Sequence, residues 1–294
     1  MGGTGITKVI AGPIPKSWAS GADSNEHAMQ AWRIDALSVV LSHLPSESNS
    51  ATNNLPSESY LPPPLTLLCL RLLLSSYTAP EFTEYIVPYL PPHLRRDLLR
   101  YTAVHAPLST SKLYALCEPE GHADGELIVI GPQATLRADH FRHHADDCGP
   151  GTGSEDLEFD RRASMEMNAE EAWDVLDDEP TPLRTLFILS CHISTPTLLT
   201  LPPTLTTLAL VNLSSLVPLH RLPGICPLLS ILDLSYNHWQ VGTGTTVKEG
   251  NPLDRVDWSR WTKLRVLALR GCYPRPAVLE KINQGRWTDV EIIL

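Results

Sequence analysis

The sequence lacks an excess of basic residues, an apolar run of membrane-spanning length and any close pair of cysteines. Its 23 lysines and arginines stand against 33 acidic residues, a formal net charge of -10. That balance offers no basic stripe to a phosphate backbone and repels anionic lipid, so neither nucleic acid nor a membrane is an expected partner. The longest apolar run, Leu65 to Leu74, is interrupted by Arg71 and falls well short of the roughly 20 residues that a bilayer requires.

The six cysteines are scattered, and three of them fall inside apolar patterns where a free thiol behaves as a small hydrophobic side chain. This usage is typical of a reducing compartment. The opening residues, MGGTGITKVIAGPIPKSW, contain no charged segment followed by an apolar stretch, so a secretory signal is not expected. We expect the protein in the cytoplasm or the nucleus.

The sequence also contains no G-x-S-x-G, Walker loop, H-E-x-x-H or plausible Cys/His catalytic pair. We therefore predict no enzymatic activity, no catalytic residue, no cofactor and no metal ion. One cluster of metal-capable groups runs from His140 to Cys148, but it lacks the fixed ligand spacing of a zinc site, which favours a solvated loop. A metal-dependent enzyme using this cluster is the rival hypothesis from another functional class.

What the chain does contain is one leucine pattern, repeated four times in its C-terminal third. The copies are LRTLFILSCHI from Leu183, LTTLALVNL from Leu205, LSILDLSYNHW from Leu229 and LRVLALRGCY from Leu264. The template L-x-x-L-x-[LI]-x-x-[NCL] is the signature of leucine-rich repeats, in which each unit adds one strand to a shared core. A fifth, incomplete unit is predicted with Trp287, Val290 and Ile292 pointing inward.

Within each predicted strand, alternate residues point away from the leucine core and form a strip on the concave side. We name as candidate partner-binding residues of this strip Phe187, Leu189, Val211, Asp233 and Arg270. The strip is apolar in its first two rungs, so either a protein target or the N-terminal part of the chain itself should cover it. Asn237 is expected to bond the backbone of neighbouring coils, and Trp258 and Trp261, in an insertion after the third unit, to pack against the next repeat.

The predicted organisation has four parts. Residues 1–27 are a flexible leader, and 28–116 a helical module with a helix at 28–44 and a polar linker at 46–59. Residues 117–182 connect this module to the repeats through the possible strand GELIVIG (125–131), placed at the start of the sheet, then an acidic loop and a capping helix. Residues 183–294 form the repeats. The fold class is α/β: an N-terminal helical module followed by a short leucine-rich-repeat solenoid with a curved parallel sheet.

The segment PLTLLCLRLL, from Pro64, resembles the elongin-binding box of substrate receptors for cullin-RING ubiquitin ligases. Leu65, Cys69 and Leu73 fill that pattern at four-residue steps, which puts them on one helix face suited to a groove in a partner. The downstream segment LPPHLRRDL resembles the cullin-selecting box of such receptors. The residues that carry this second resemblance are Leu90, Pro91, Leu94 and Leu98.

The same helical block is loosely similar to an F-box, which implies a Skp-type adaptor instead, and it is also compatible with a plain helical cap on the repeats. The whole arrangement is similar to ribonuclease-inhibitor-like leucine-rich-repeat proteins of fungi, which implies a fold and no activity. We therefore expect a non-catalytic protein-recognition module, with a ubiquitin-ligase substrate receptor as the sharper hypothesis. The alternative is an interaction scaffold with no ligase link.

Overall fold

The computed structural model describes residues 22–43, 64–142, 181–237 and 252–294, with side chains in the first range described from residue 28. The predicted flexible leader is partly wrong, because helix α1 (Ala22–His43) begins inside it. The predicted linker at 46–59, and the acidic loop and capping helix expected within 146–179, lie outside the described residues. None of the helices in the described ranges is long and apolar enough to cross a bilayer.

Within residues 64–142, four helices and a 3-10 turn precede the first strand, and they lie almost entirely in the part of the chain predicted as a helical module. Prolines occupy the first turn of several helices, where a missing N–H costs nothing. Thr78 and Glu81 form a capping box at the start of α3. The elements are α2 (Leu65–Ser76), α3 (Ala79–Tyr85), a 3-10 turn (Val87–Tyr89), α4 (Pro92–His105) and α5 (Thr110–Cys117).

A single six-stranded sheet follows, with every strand parallel and the spatial order identical to the chain order. The molecule is therefore a mixed α/β protein with N-terminal helices and an all-parallel sheet. The prediction that GELIVIG opens the sheet is confirmed. The strands are β1 (Glu126–Ile130), β2 (Thr185–Leu189), β3 (Thr207–Val211), β4 (Ile231–Asp233), β5 (Val266–Ala268) and β6 (Glu291–Ile293).

The segments after β2, β3 and β5 contain short helices, namely α6 (Thr195–Leu199), α7 (Leu222–Ile225) and α8 (Pro276–Asn283). Template leucines from successive strands lie side by side on one face of the sheet: Leu186 pairs with Leu208, Leu208 with Leu232 and Leu232 with Leu267. All four are completely buried. Leucines from neighbouring strands thus share one interior, which no single segment could enclose alone.

The backbone turns in the same way after successive strands. A residue with a positive φ follows each of four strand segments. These residues are Ser190 after Leu189, Asn212 after Val211, Tyr236 after Ser235 and Gly271 after Arg270. The amide of each of the first three donates to a carbonyl in the next strand segment, at 2.6 to 3.1 Å. The corner therefore continues the sheet ladder past the end of the strands, which fixes the register of the neighbouring segments.

Asn237 makes the neighbour-bridging contacts that the sequence predicts. Its Nδ2 donates to the carbonyls of Leu210 and Leu234, at 2.6 and 2.8 Å, and its Oδ1 accepts from the amide of Leu213 at 2.8 Å. Cys191, in the equivalent position two strands earlier, directs its thiol to backbone carbonyls including that of Val129 in β1. Both residues thus satisfy buried backbone groups in an adjacent segment of the chain.

One sequence prediction of side-chain direction is wrong. Trp287 is fully exposed instead of pointing into the core. The pairing of β6 with β5 makes Asp289 the counterpart of Leu264, so the last unit starts two residues later than the leucine spacing suggests. In α1, Ile34 is exposed while Arg33 is buried, with its Nε donating to the Val104 carbonyl at 2.9 Å.

Candidate protein-binding surfaces

Helix α2 is apolar on both of its faces. One face packs into the core through Leu70 and Leu74, which are buried. The opposite face carries four exposed side chains at positions i, i+3, i+4 and i+7, a spacing that places them in one stripe along the helix. This α2 stripe consists of Leu65, Leu68, Cys69 and Leu72.

The stripe contains two of the three residues that resemble the elongin-binding box. Leu65 is 75% exposed and Cys69 is exposed, whereas Leu73 is partly buried and packs against the core. Leu72, 66% exposed, lies on the outer face where the resemblance places Leu73. Large aliphatic side chains exposed in a row along a helix are typical of a surface that a protein partner covers.

Cys69 also differs chemically from the other cysteines of the described residues, all of which are buried. Burial raises the pKa of the Cys117 and Cys226 thiols to about 12 and that of Cys191 to about 11. These groups stay protonated at neutral pH, and a protonated thiol is a poor nucleophile. Exposure makes Cys69 accessible to thiol reagents, so its labelling can report whether the α2 stripe is occupied.

The residues that resemble the cullin-selecting box lie mostly in the core. Leu90 and Leu98 are buried, Leu94 is partly buried and packed against the core, and only Pro91 is exposed, at the N-terminus of α4. Arg95 closes the turn before the helix by donating to the carbonyls of Leu90 and Val87, each at 2.9 Å. Leu90 and Leu98 therefore hold α4 to the rest of the protein and are not offered to a partner here.

The predicted concave strip is not a free surface. Phe187, Leu189, Val211 and Asp233 are fully buried, and the side chain of Arg270 is only 15% exposed. Helix α1 contacts β3 and β4, and α4 contacts β1, where Leu99 and Ala103 line an internal cavity together with Ile128 and Ile130. The sequence allowed two covers for this strip, a protein target or the N-terminal part of the chain, and the structure has the chain's own N-terminal helices. The prediction that these residues form a ligand groove open to solvent is therefore wrong.

Polar contacts to the end of the strip fix α1 in place. The Arg270 guanidinium donates to Asp35 Oδ1 at 3.1 Å and to the Asp35 carbonyl at 2.7 Å, and the Tyr236 hydroxyl donates to Asp35 Oδ2. Arg270 also donates to Ser38 Oγ at 3.2 Å. Sequence reasoning found Arg270 but missed Asp35 and Tyr236. The missed residues are more than 200 positions apart, so no local pattern could have paired them.

The tryptophans of the insertion pack as predicted. Trp258 and Trp261 are buried, with ring centroids 5.7 Å apart. Their indole N–H groups donate to the carbonyls of Leu253 and Cys226, at 3.3 and 2.8 Å. Arg286, from the segment before β6, donates to the carbonyls of both tryptophans. These rings therefore join neighbouring segments of the sheet and do not form an exposed aromatic site.

His140 is the one member of the predicted metal-capable cluster that falls within the described residues, because this described range ends at residue 142. It is buried, its ring lies against those of Tyr114 and Phe141, and its Nε2 is 3.2 Å from the Gly121 carbonyl. Across the described ranges no three His, Cys, Asp or Glu side chains form a group that could hold a metal ion. His143, His144, Asp146, Asp147 and Cys148 lie outside those ranges.

Comparisons of the chain with protein-family models, with curated proteins and with solved structures return no match.

Proposed function

We propose that this protein is a non-catalytic protein-recognition module of the leucine-rich-repeat class whose helix α2 binds an elongin-type adaptor. In the sharper form of the proposal, the module is the substrate receptor of a cullin-RING ubiquitin ligase. The observation that carries the proposal is the exposed apolar stripe of α2, Leu65, Leu68, Cys69 and Leu72. The apolar side chains of such a stripe stay exposed to water unless a partner buries them.

Two features support the leucine-rich-repeat assignment. The segments starting at Leu183, Leu205, Leu229 and Leu264 contribute neighbouring parallel strands in chain order. Asn237 bridges adjacent segments from the last position of the template, where such repeats use an asparagine. Repeats of this class build binding surfaces and seldom catalytic sites, which agrees with the absence of recognisable catalytic motifs from the sequence.

The α2 stripe supports the adaptor, because a helix that serves only as a cap would bury its apolar side chains. Leu65 and Cys69 occupy the box positions that the resemblance assigns to adaptor contact, and both are exposed. The net charge of -10 gives no reason to assign the stripe to nucleic acid or to an anionic membrane. A groove lined by apolar side chains in a protein partner is the chemistry that fits.

The direct test mixes the purified full chain with recombinant elongin B–C and measures binding by calorimetry and co-elution. We expect a stoichiometric complex, and we expect the double substitution Leu65→Asp, Cys69→Asp to abolish it. Thr66→Asp is the matched control, since Thr66 is exposed on the same turn but lies about 100° around the helix from Leu65. Binding that survives the double substitution, or that fails with the unchanged chain, would reject the adaptor.

Labelling of Cys69 provides an independent reading in a Cys148→Ser background. A maleimide should modify one thiol quickly in the free chain and much more slowly once the adaptor is bound. The buried thiols serve as the internal control, since they should react only when the protein unfolds. Protection of Cys69 without complex formation would contradict the proposed contact.

The burial of Leu90 and Leu98 favours the second candidate, a scaffold that binds proteins without a ligase. The two candidates differ in one measurement. A receptor should bring a cullin into the complex once elongin B–C is bound, whereas a scaffold should bind its partners with the cullin absent. Failure to capture a cullin in the reconstituted mixture would leave the scaffold as the better description.

A further inference from the structure

Helix α1 buries one side against the rest of the protein. Ala36, Leu37 and Val40 are buried, and Val39 nearly so, while Met29 and Ile34 remain exposed on the outer side. The helix lies against β3 and β4 and against α4. The buried part of its apolar contact comes from four small or medium side chains within five residues, and the partly buried Trp32 and Leu41 pack beside them.

Beside these buried side chains the helix offers a carboxylate to the strip. Asp35 is 55% exposed, yet it accepts from both Arg270 and Tyr236. The guanidinium of Arg270 also lies over the Tyr236 ring, 5.6 Å from its centroid, which positions it for this contact. The strip thus recognises two properties of α1 together, an Ala-Leu-Val surface and an acidic side chain one residue before it.

The contact leaves polar groups of the strip unsatisfied. Asp233 is fully buried and one of its oxygens, Oδ2, has no hydrogen-bond partner, and Nε of Arg270 is buried without a partner as well. The other carboxylate oxygen of Asp233, Oδ1, accepts from the Ser235 amide at 2.9 Å. Buried polar atoms without partners destabilise the conformation that buries them.

From these contacts we infer that the strip is a helix-binding site and that α1 is its resident occupant, displaceable by a helix of another protein. The displacing helix carries an Asp or Glu directed at Arg270 and Tyr236, next to a stripe of Ala, Leu and Val. The occupant follows from charge complementarity with Arg270 and from the helix already bound there. This inference goes beyond the adaptor site, and it would stand if α2 bound nothing.

The probe that tests it is a fluorescein-labelled peptide of residues 22–43, added to the full chain and followed by fluorescence anisotropy. Asp35→Ala in the protein weakens the resident helix alone. We therefore expect this variant to bind the peptide roughly tenfold more tightly than the unchanged chain does, since a charged hydrogen bond no longer favours the resident. Glu280→Ala, which removes an exposed carboxylate from α8, is the matched control and should leave peptide affinity unchanged.

Two reciprocal changes give the experiment its specificity. The same Asp35→Ala change placed in the peptide should abolish the gain, because the peptide then lacks the carboxylate. Arg270→Met added to the Asp35→Ala protein should abolish it too, because the strip then lacks the cation. If the gain survives either change, the peptide binds elsewhere and the inference is overturned.

Folding and self-association are checked on the same samples. Circular dichroism should show an unchanged spectrum for Asp35→Ala, and Leu37→Ala, which removes a buried contact of α1, should give a similar gain in peptide affinity. Equal affinity of the unchanged chain and both variants would overturn the inference. Light scattering that shows the Asp35→Ala chain forming dimers which the peptide dissociates would assign the site to a second copy and overturn the foreign helix.

Discussion

Two helices cover the same face of the sheet, and they are held to it differently. Helix α4 is anchored on the β1 side by two ion pairs: Arg100 binds both oxygens of the buried Glu126 carboxylate, and Arg96 contacts Asp124 at 2.7 Å. Helix α1 is held on the β4 and β5 side through Asp35, which is half exposed. The ion pair on one side of this face thus uses a buried carboxylate, and the ion pair on the other side uses a half-exposed one.

The electrostatics of Arg100 make the difference concrete. Burial alone would lower the pKa of this guanidinium, but the hydrogen bonds and the negative charge of Glu126 outweigh burial and raise it. Around α1 the cost of burying a charge is not offset in this way, since Asp233 is buried and its Oδ2 has no hydrogen-bond partner. A paired buried charge resists separation, whereas an unpaired one favours any rearrangement that lets in water or a new partner.

Breaking the α4 anchor should give the largest effect. Arg100→Met leaves the Glu126 carboxylate buried without its cation, and we expect a loss of about 3 to 4 kcal/mol in the free energy of unfolding. Urea denaturation measures the loss. The double variant Arg100→Met, Glu126→Leu should recover much of the stability, because no unpaired charge remains.

The matched change on the other side is Arg270→Met. Its carboxylate partner is exposed, so we expect a loss of only about 1 kcal/mol, concentrated in faster hydrogen exchange of α1 amides. Equal losses for Arg100→Met and Arg270→Met would remove the distinction between the two sides.

A methyl group at two corner glycines sharpens the comparison further. A Cβ at Gly131, after β1, would lie 2.3 Å from the backbone oxygen of Ser190, which cannot move without shifting β2. We expect Gly131→Ala to cost about 2 to 3 kcal/mol in urea denaturation. At Gly271, after β5, the Cβ would meet the Tyr236 ring at 2.9 Å, and a side chain can give way. Gly271→Ala should cost about 1 kcal/mol, from its positive φ, and should loosen α1.

Asn237→Ala tests whether the strands beneath α1 are themselves unstable or whether only the contact between α1 and these strands is weak. The substitution removes three hydrogen bonds to buried backbone groups, so we expect a loss of about 2 kcal/mol that appears as cooperative global unfolding. Asn283→Ala, which removes a single bond to the Val290 amide, is the control and should cost less. A change confined to α1 exchange would mean that the strands themselves are loose on this side.

The leucine spacing was sufficient to predict four neighbouring strands and the role of Asn237, because both follow from a period that repeats along the chain. It placed Trp287 in the core for the same reason, since a spacing argument cannot detect that the last unit is two residues out of step. Alternation also identified which strand residues face away from the leucines, including Phe187 and Asp233.

What covers those residues could not be derived from the pattern. The anchor of α4 joins Arg100 to Glu126, and that of α1 joins Asp35 to Arg270, and neither pairing leaves a periodic trace in the sequence. The exposed face of α2 was likewise ambiguous, because a helix with leucines all round reads equally well as buried or as half covered. Tertiary packing decided these points.

An effect of opposite sign is expected at Asp233. Burial raises the pKa of this carboxyl group, and the Ser235 hydrogen bonds and the charge of Arg270 offset that only in part. A raised pKa in the folded state means that stability present below the unfolded pKa, about 3.9, is lost as pH rises through the folded value. Asp233→Asn cannot ionise, so it should be more stable than the unchanged chain at pH 7, by about 1 kcal/mol. The gain should vanish as pH approaches 4, and α1 amides should exchange more slowly at pH 7.

Asp289→Asn makes the same change in net charge at an exposed site and should give a smaller effect. A gain for Asp233→Asn that is independent of pH would mean that relief of the buried charge is not its cause.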